Sequence, residues 1–134
     1  MEIRQLGYLG LQGADPKAWL DFATRIVGLQ PARVLPGETW GMPGMPNPGA
    51  PSGGSGVAPD GTVFLKMDDW QWRVALHPGD GPGVRYLGFE LRGPAELAAA
   101  VAELEAKRIA VTSATQSELE ARAVHAMVHL RDPA

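Results

Sequence analysis

Tyr8-Leu9-Gly10-Leu11-Gln12 and Tyr86-Leu87-Gly88-Phe89-Glu90 are two versions of one pentapeptide, and the fold is read outward from them. The spacing that carries Tyr8 onto Tyr86 also carries Pro16 onto Pro94. Both pentapeptides lie in segments whose alternation predicts a strand, residues 3–12 (IRQLGYLGLQ) and 84–92 (VRYLGFELR), and each proline opens a predicted helix. The same order of elements twice, at the same spacing, predicts an internal duplication.

The first helix begins at Asp15 as N-cap with Pro16 at the first helical position, and Gly28 closes it. Trp19, Phe22, Ala23 and Ile26 recur at three- and four-residue spacing, which predicts one apolar stripe packed on a sheet. Strands are expected at 29–35, Thr62–Met67 and Trp70–His77, the last two joined by a turn at Asp68-Asp69. In the second half an alanine-rich helix, Glu96–Lys107, shows Leu97, Val101 and Leu104 on one side. A strand at Ile109–Thr112, a helical turn at Ser117–Arg122 and a strand at His125–Arg131 follow. The reading is an α+β domain of two strand-helix-strand-strand-strand modules spanning 1–134: module one is 1–79, and module two, 80–134, lacks its final strand.

Module one carries an insertion. Residues 36–61 hold six prolines and eight glycines, with no charged residue between Glu38 and Asp60, and that composition permits neither a helix nor a central strand. Ser52-Gly-Gly-Ser-Gly56 reads as a flexible linker, and the segment is expected to be a lid, a linker or a solvated excursion dispensable for folding.

Length, charge and cysteine content exclude several functions. One hundred and thirty-four residues make one domain with a real core. Without cysteine there is no disulfide framework, thiolate metal site or Cys nucleophile, which fits a reducing cytoplasm. A net charge of -3 disfavours a phosphate-backbone partner, so nucleic acid is not expected. No apolar run is long enough for a bilayer, and MEIRQLGYLG lacks the pattern of a signal peptide; the expectation is a cytoplasmic protein with no membrane partner. Phosphate-loop, dinucleotide-binding and nucleophile-elbow patterns are absent.

The doubled module resembles the vicinal oxygen chelate superfamily, which includes glyoxalase I, bleomycin-resistance proteins and type I extradiol ring-cleaving dioxygenases. Residues 3–30 resemble the opening strand, helix and second strand of the dioxygenases' amino-terminal domain. VFLKMDDWQWRVALHPG (63–79) resembles the hairpin ending its first module, and VRYLGFEL with the terminal VHLRDPA resembles parts of its second. The resemblance covers nearly the whole chain except the Gly/Pro segment. It implies a cup-shaped mixed sheet and, in catalytic members, non-haem Fe(II), occasionally Mn(II), held by two His and one Glu with open positions for a catechol and O2. Those ligands belong to the carboxyl-terminal domain of the dioxygenases, and their amino-terminal domain is generally without them.

By that resemblance Tyr8 and Tyr86 stand where the two His ligands would be, and the Glu would come from a strand following Asp132-Pro133. A neutral phenol is a poor replacement for imidazole. The expectation is therefore no catalytic residue, metal or cofactor in this chain, with Fe(II) in a catalytic partner domain. The role implied is the structural amino-terminal domain of an extradiol catechol dioxygenase, supporting assembly of a ring-cleaving enzyme. A catalytic dioxygenase domain or a second copy is the expected partner. Two alternatives stand beside it. One is a binding module of the bleomycin-resistance type, with Tyr8, Trp40, Trp72 and Tyr86 lining a pocket for a small aromatic ligand. The other is a free-standing metalloenzyme with an atypical site built from His77, His125 and His129, which lack a carboxylate at a metal-site spacing.

Overall fold

Asp15 and Pro16 do at the first helix what their order predicts. The Asp15 carboxylate accepts the Ala18 N–H at 2.9 Å, and Pro16 occupies the first helical position, where a missing N–H costs nothing. The strand before it is β1 (Gln5–Gly13), and the helix is α1 (Pro16–Phe22). The chain then widens into a π-helical turn, Ala23–Val27, where the Thr24 hydroxyl donates to the Leu20 carbonyl at 2.8 Å, and stops at Gly28 in the left-handed conformation at φ 86°.

The computed structural model describes residues 1–38 and 52–133, which form two compact units: residues 6–88, and residues 1–5 with 89–134. β2 (Gln30–Pro31), β3 (Val63–Lys66), β4 (Val74–Pro78) and β5 (Gly83–Glu90) join β1 in a mixed sheet of order β2-β3-β4-β1-β5. β1 runs parallel to β4, with Leu9 opposite Val74 and Leu11 opposite Leu76, and β3 is antiparallel to both β4 and β2. Strand parity then sorts the core. Val63, Leu65 and Leu76 cluster with Ala23, and Leu11, Val74 and Leu20 pack against them. Phe64, Ala75 and Trp72 cluster with Ala32 and Leu35, and Tyr8 and Tyr86 pack against that second group. Shifting any strand by one residue would exchange the two sets, so the register is held by both faces at once.

The expected helix stripe is corrected. Ala23 is buried, but Trp19 and Phe22 are each 47% exposed and Ile26 is 74% exposed. Trp19 and Phe22 pack edge to face on each other at 5.7 Å. Leu20 and Ala23 also stand three apart, so helical periodicity admits two faces; the shorter pair meets the sheet. The predicted strand at 29–35 is shorter too. The strand spans only Gln30–Pro31: the Ala32 N–H still donates to the Phe64 carbonyl at 2.9 Å, but the Phe64 N–H turns to Gly56, and Ala32, Val34 and Leu35 are buried.

Among the described residues of the Gly/Pro segment, 56–58 are tied to β3 and the adjoining Thr62, and Gly56 is buried. The Phe64 N–H donates to the Gly56 carbonyl at 2.7 Å, Val57 bridges Val63, and the Ala58 N–H donates to Thr62. Glu38 ties the entrance: it accepts from the Leu35 N–H, the Ser52 N–H and the Ser52 hydroxyl at 2.7–2.8 Å. Burial opposes its charge, and these donors outweigh burial, so its carboxyl titrates below the usual range. The glycines that suggested a linker from composition include one, Gly56, that the fold requires.

In the second unit α2 (Pro94–Ala106) buries Ala100 and Leu104. β6 (Thr112–Ser113) starts three residues later than expected and pairs antiparallel with β7 (Val128–His129), Thr112 opposite His129. Between them α3 (Gln116–Arg122) opens on a capping box, Thr115 and Glu118 each bonding the other's backbone N–H. The architecture is α+β with a mixed sheet, module one strand-helix-strand-strand-strand and module two one strand shorter among the described residues. Among those residues no helix is long and apolar enough to cross a membrane.

Candidate functional site

Tyr8 and Gly10 of one pentapeptide and Tyr86 and Gly88 of the other all lie in the first unit. A Cβ placed on Gly10 would fall inside the Tyr86 ring, and one placed on Gly88 would fall inside the Tyr8 ring. Each tyrosine therefore lies flat across the glycine of the other repeat, an arrangement unchanged when the repeats are exchanged. The two rings are 6.1 Å apart and edge to face, and Tyr8 leans on Trp72 at 5.2 Å, which packs in turn on Phe64 at 5.3 Å. Of the four residues expected to line a pocket, Tyr8, Trp72 and Tyr86 come together on one sheet face; Trp40 lies outside the described residues.

A polar chain runs into this aromatic group. His77 shares the tyrosine-bearing face because it stands two residues from Ala75 on β4. Its Nε2 is 2.7 Å from the Tyr86 hydroxyl, and its Nδ1 is 3.2 Å from the buried Thr62 hydroxyl. Asp60 accepts the Thr62 N–H at 2.9 Å. That backbone bond, with the Thr62 hydroxyl and the attraction of His77 behind it, holds the Asp60 carboxyl below the ordinary aspartate range.

The Asp60 shift has a sign. A carboxyl whose folded pKa lies below its unfolded value stabilises the fold fully above the unfolded value, about 4, and that contribution disappears as pH falls through the lowered one. Asp60→Asn should therefore flatten the loss of stability between neutral pH and about pH 3, as read by urea unfolding at stepped pH. A variant whose acid slope matches the parent would show that Asp60 does not carry this linkage.

Sequence reading named His77 only as one of three histidines of an atypical metal site and gave Thr62 and Asp60 no role in a site. The available signal was parity: His77 and Ala75 share a face, as do Tyr8 and Gly10. The other two histidines belong to the second unit, where His129 Nε2 lies 3.2 Å from Glu118. Glu118 titrates low because it accepts the Thr115 N–H and hydroxyl, with His129 adding to the effect.

Iron is the metal that the resemblance to the dioxygenases implies, and the residues present do not fit it. The two positions expected to supply imidazoles carry phenol rings packed on glycine. Both ring nitrogens of His77 are engaged by Thr62 and Tyr86. Among the described residues no three His, Cys, Asp or Glu side chains are grouped to hold an ion.

No family model matches the chain. It is 29% identical over 131 residues to a biphenyl-2,3-diol 1,2-dioxygenase of Sphingomonas paucimobilis, covering 98% of this chain and 36% of that enzyme. It is 30% identical, with the same coverage, to a 1,2-dihydroxynaphthalene dioxygenase of Sphingobium xenophagum. The solved structure of a catechol 2,3-dioxygenase superposes with a TM-score of 0.73 at 30% identity, covering 99% of this chain and 39% of that one. The chain thus spans little more than a third of the length of the relatives it matches. In sequence and in fold it is a vicinal oxygen chelate-like domain, homologous to the amino-terminal domain of the extradiol dioxygenases.

Proposed function

We propose that this chain is a metal-free structural domain of an extradiol catechol dioxygenase, which supports the assembly of a ring-cleaving enzyme whose Fe(II) sits in a separate catalytic domain. The observation that carries the reading is the crossed tyrosine–glycine packing. It fills with phenol rings the place where a catalytic member would present imidazoles to a metal, and a facial iron site needs open positions as well as ligands. Whole-chain homology to about a third of each relative supports it. A cytoplasmic setting accords with the absence of cysteine.

The test is metal analysis of the gently purified chain with an assay on 2,3-dihydroxybiphenyl in air with added Fe(II). The expected result is no stoichiometric Fe, Mn or Zn and no yellow ring-cleavage product above free iron. One tightly held ion per chain, or product above that control, overturns the reading. Quenching of tryptophan emission by a catechol at micromolar concentration would replace it with the binding-module alternative.

A partner is expected along β5, which ends the sheet order among the described residues and exposes Val84 and Leu87. A second copy is the simplest closed solution for such an edge. Sedimentation equilibrium should give a dimer at micromolar concentration, and a persistent monomer at high concentration would count against self-association.

A further inference from the structure

The packing of Tyr8 and Tyr86 on glycine leaves unused the redox chemistry of the array these rings form with His77 and Trp72. Three oxidisable rings follow one another, Trp72 to Tyr8 at 5.2 Å and Tyr8 to Tyr86 at 6.1 Å, and the chain ends on a phenol 2.7 Å from an imidazole nitrogen. We propose that Tyr86 is a redox-active tyrosine: an electron vacancy formed on Trp72 or Tyr8 moves to the Tyr86 ring and is trapped there as a neutral phenoxyl radical while the phenol proton crosses to His77 Nε2.

The chemistry favours that end of the array. An oxidised phenol is a strong acid, so its electron leaves easily only when a base stands ready for the proton, and imidazole is the side chain suited to that task near neutral pH. In the neutral tautomer with the proton on Nδ1, the Tyr86 O–H donates to His77 Nε2 and the Nδ1–H donates to the Thr62 hydroxyl. When Nε2 takes the proton, the imidazolium is attracted by the charge of Asp60. Trp72 has no such outlet. It is 4% exposed, and its Nε1 has no hydrogen-bond partner among the described residues, so an oxidised Trp72 keeps its proton and passes the vacancy on.

The oxidant is of the oxygen-derived radical class. A peroxyl radical takes one electron and becomes a hydroperoxide anion; the Tyr86 O–H bond breaks, the ring loses that electron, and the proton forms a new N–H bond at His77. Charge and atoms balance with no metal in this chain. The array would thus serve as a sink that consumes such radicals, and its action does not depend on the structural reading above.

The test is one-electron oxidation of the full-length protein with azidyl radical, followed by time-resolved absorption and freeze-quench EPR. The chain has only two tyrosines and four tryptophans, so each signal can be assigned by substitution. The tyrosyl signal should grow as the tryptophanyl signal decays, vanish in Tyr86→Phe and persist in Tyr8→Phe. His77→Gln should slow its growth about a hundred-fold, the lower end of what a positioned base contributes. In the unaltered protein, growth should be slower in D2O, and the radical should show hyperfine coupling to one exchangeable proton hydrogen-bonded to its oxygen. A tyrosyl signal that survives Tyr86→Phe overturns the proposal. So does a radical in the unaltered protein without that exchangeable proton, whatever the variants do.

Discussion

Gly10→Ala is expected to lower stability by about 3 kcal/mol, the upper end for over-packing a filled site, and to lower the melting temperature by about 10 °C. The added methyl has nowhere to go but into the Tyr86 ring. The ring could swing aside only by leaving His77, a hydrogen bond worth about 1 kcal/mol, and by opening the contact with Tyr8. Gly88→Ala should cost a similar amount through Tyr8. The mechanism is checked by a double-mutant cycle. Combining Gly10→Ala with Tyr86→Ala removes the obstacle, so the pair should cost clearly less than the sum of the two single changes. Simple additivity, or a loss below about 0.5 kcal/mol for Gly10→Ala alone, would mean that the rings do not rest on the glycines as described.

The second large effect is expected in the segment whose composition suggested a linker. Gly56 is buried at φ 72°, and a Cβ there would meet the Phe64 carbonyl oxygen at 2.8 Å and the Pro31 Cβ at 2.9 Å. Those neighbours are backbone and ring atoms of β3 and β2, which cannot give way without breaking the edge of the sheet. Gly56→Ala should therefore cost about 3 kcal/mol, combining the left-handed strain with the collision. Gly53→Ala is the control. Gly53 has φ 57° with nothing within 4 Å, so only backbone strain applies, about 1 kcal/mol. Equal losses at the two positions, read by urea unfolding, would show that Gly56 is not packed against the sheet.

These two sites mark the boundary of what was legible in the sequence. Local signals carried through: the Asp15 cap, the Pro16 start and the Gly28 stop need only neighbours along the chain, and each is present. The duplicated pentapeptide located the first strands of both modules, and with them the doubled order of elements. What it could not reveal is why tyrosine and glycine recur together, because each tyrosine answers to the glycine of the other copy. The helix stripe failed for a different reason. Leu20 offers the sheet an apolar face beside Ala23 as good as the one containing Trp19, and only the π-helical turn and the position of β3 decide between them. At Gly56 the Gly/Pro composition misled, because composition does not distinguish a glycine that is free, as Gly53 is of neighbours, from one that is compressed. His77 was named only as a metal candidate, and its actual partners were not legible because Thr62 comes to it beside β3 and Tyr86 across β1, which sequence alone does not pair.

Duplicated modules usually drift apart, since each copy can accept changes that its twin never feels. Here that freedom is withheld at four positions. A side chain larger than glycine at position 10 must displace the Tyr86 ring, and one at position 88 must displace the Tyr8 ring. The two pentapeptides are thus coupled in substitution: a methyl at either glycine is tolerated best when the tyrosine of the other pentapeptide shrinks with it.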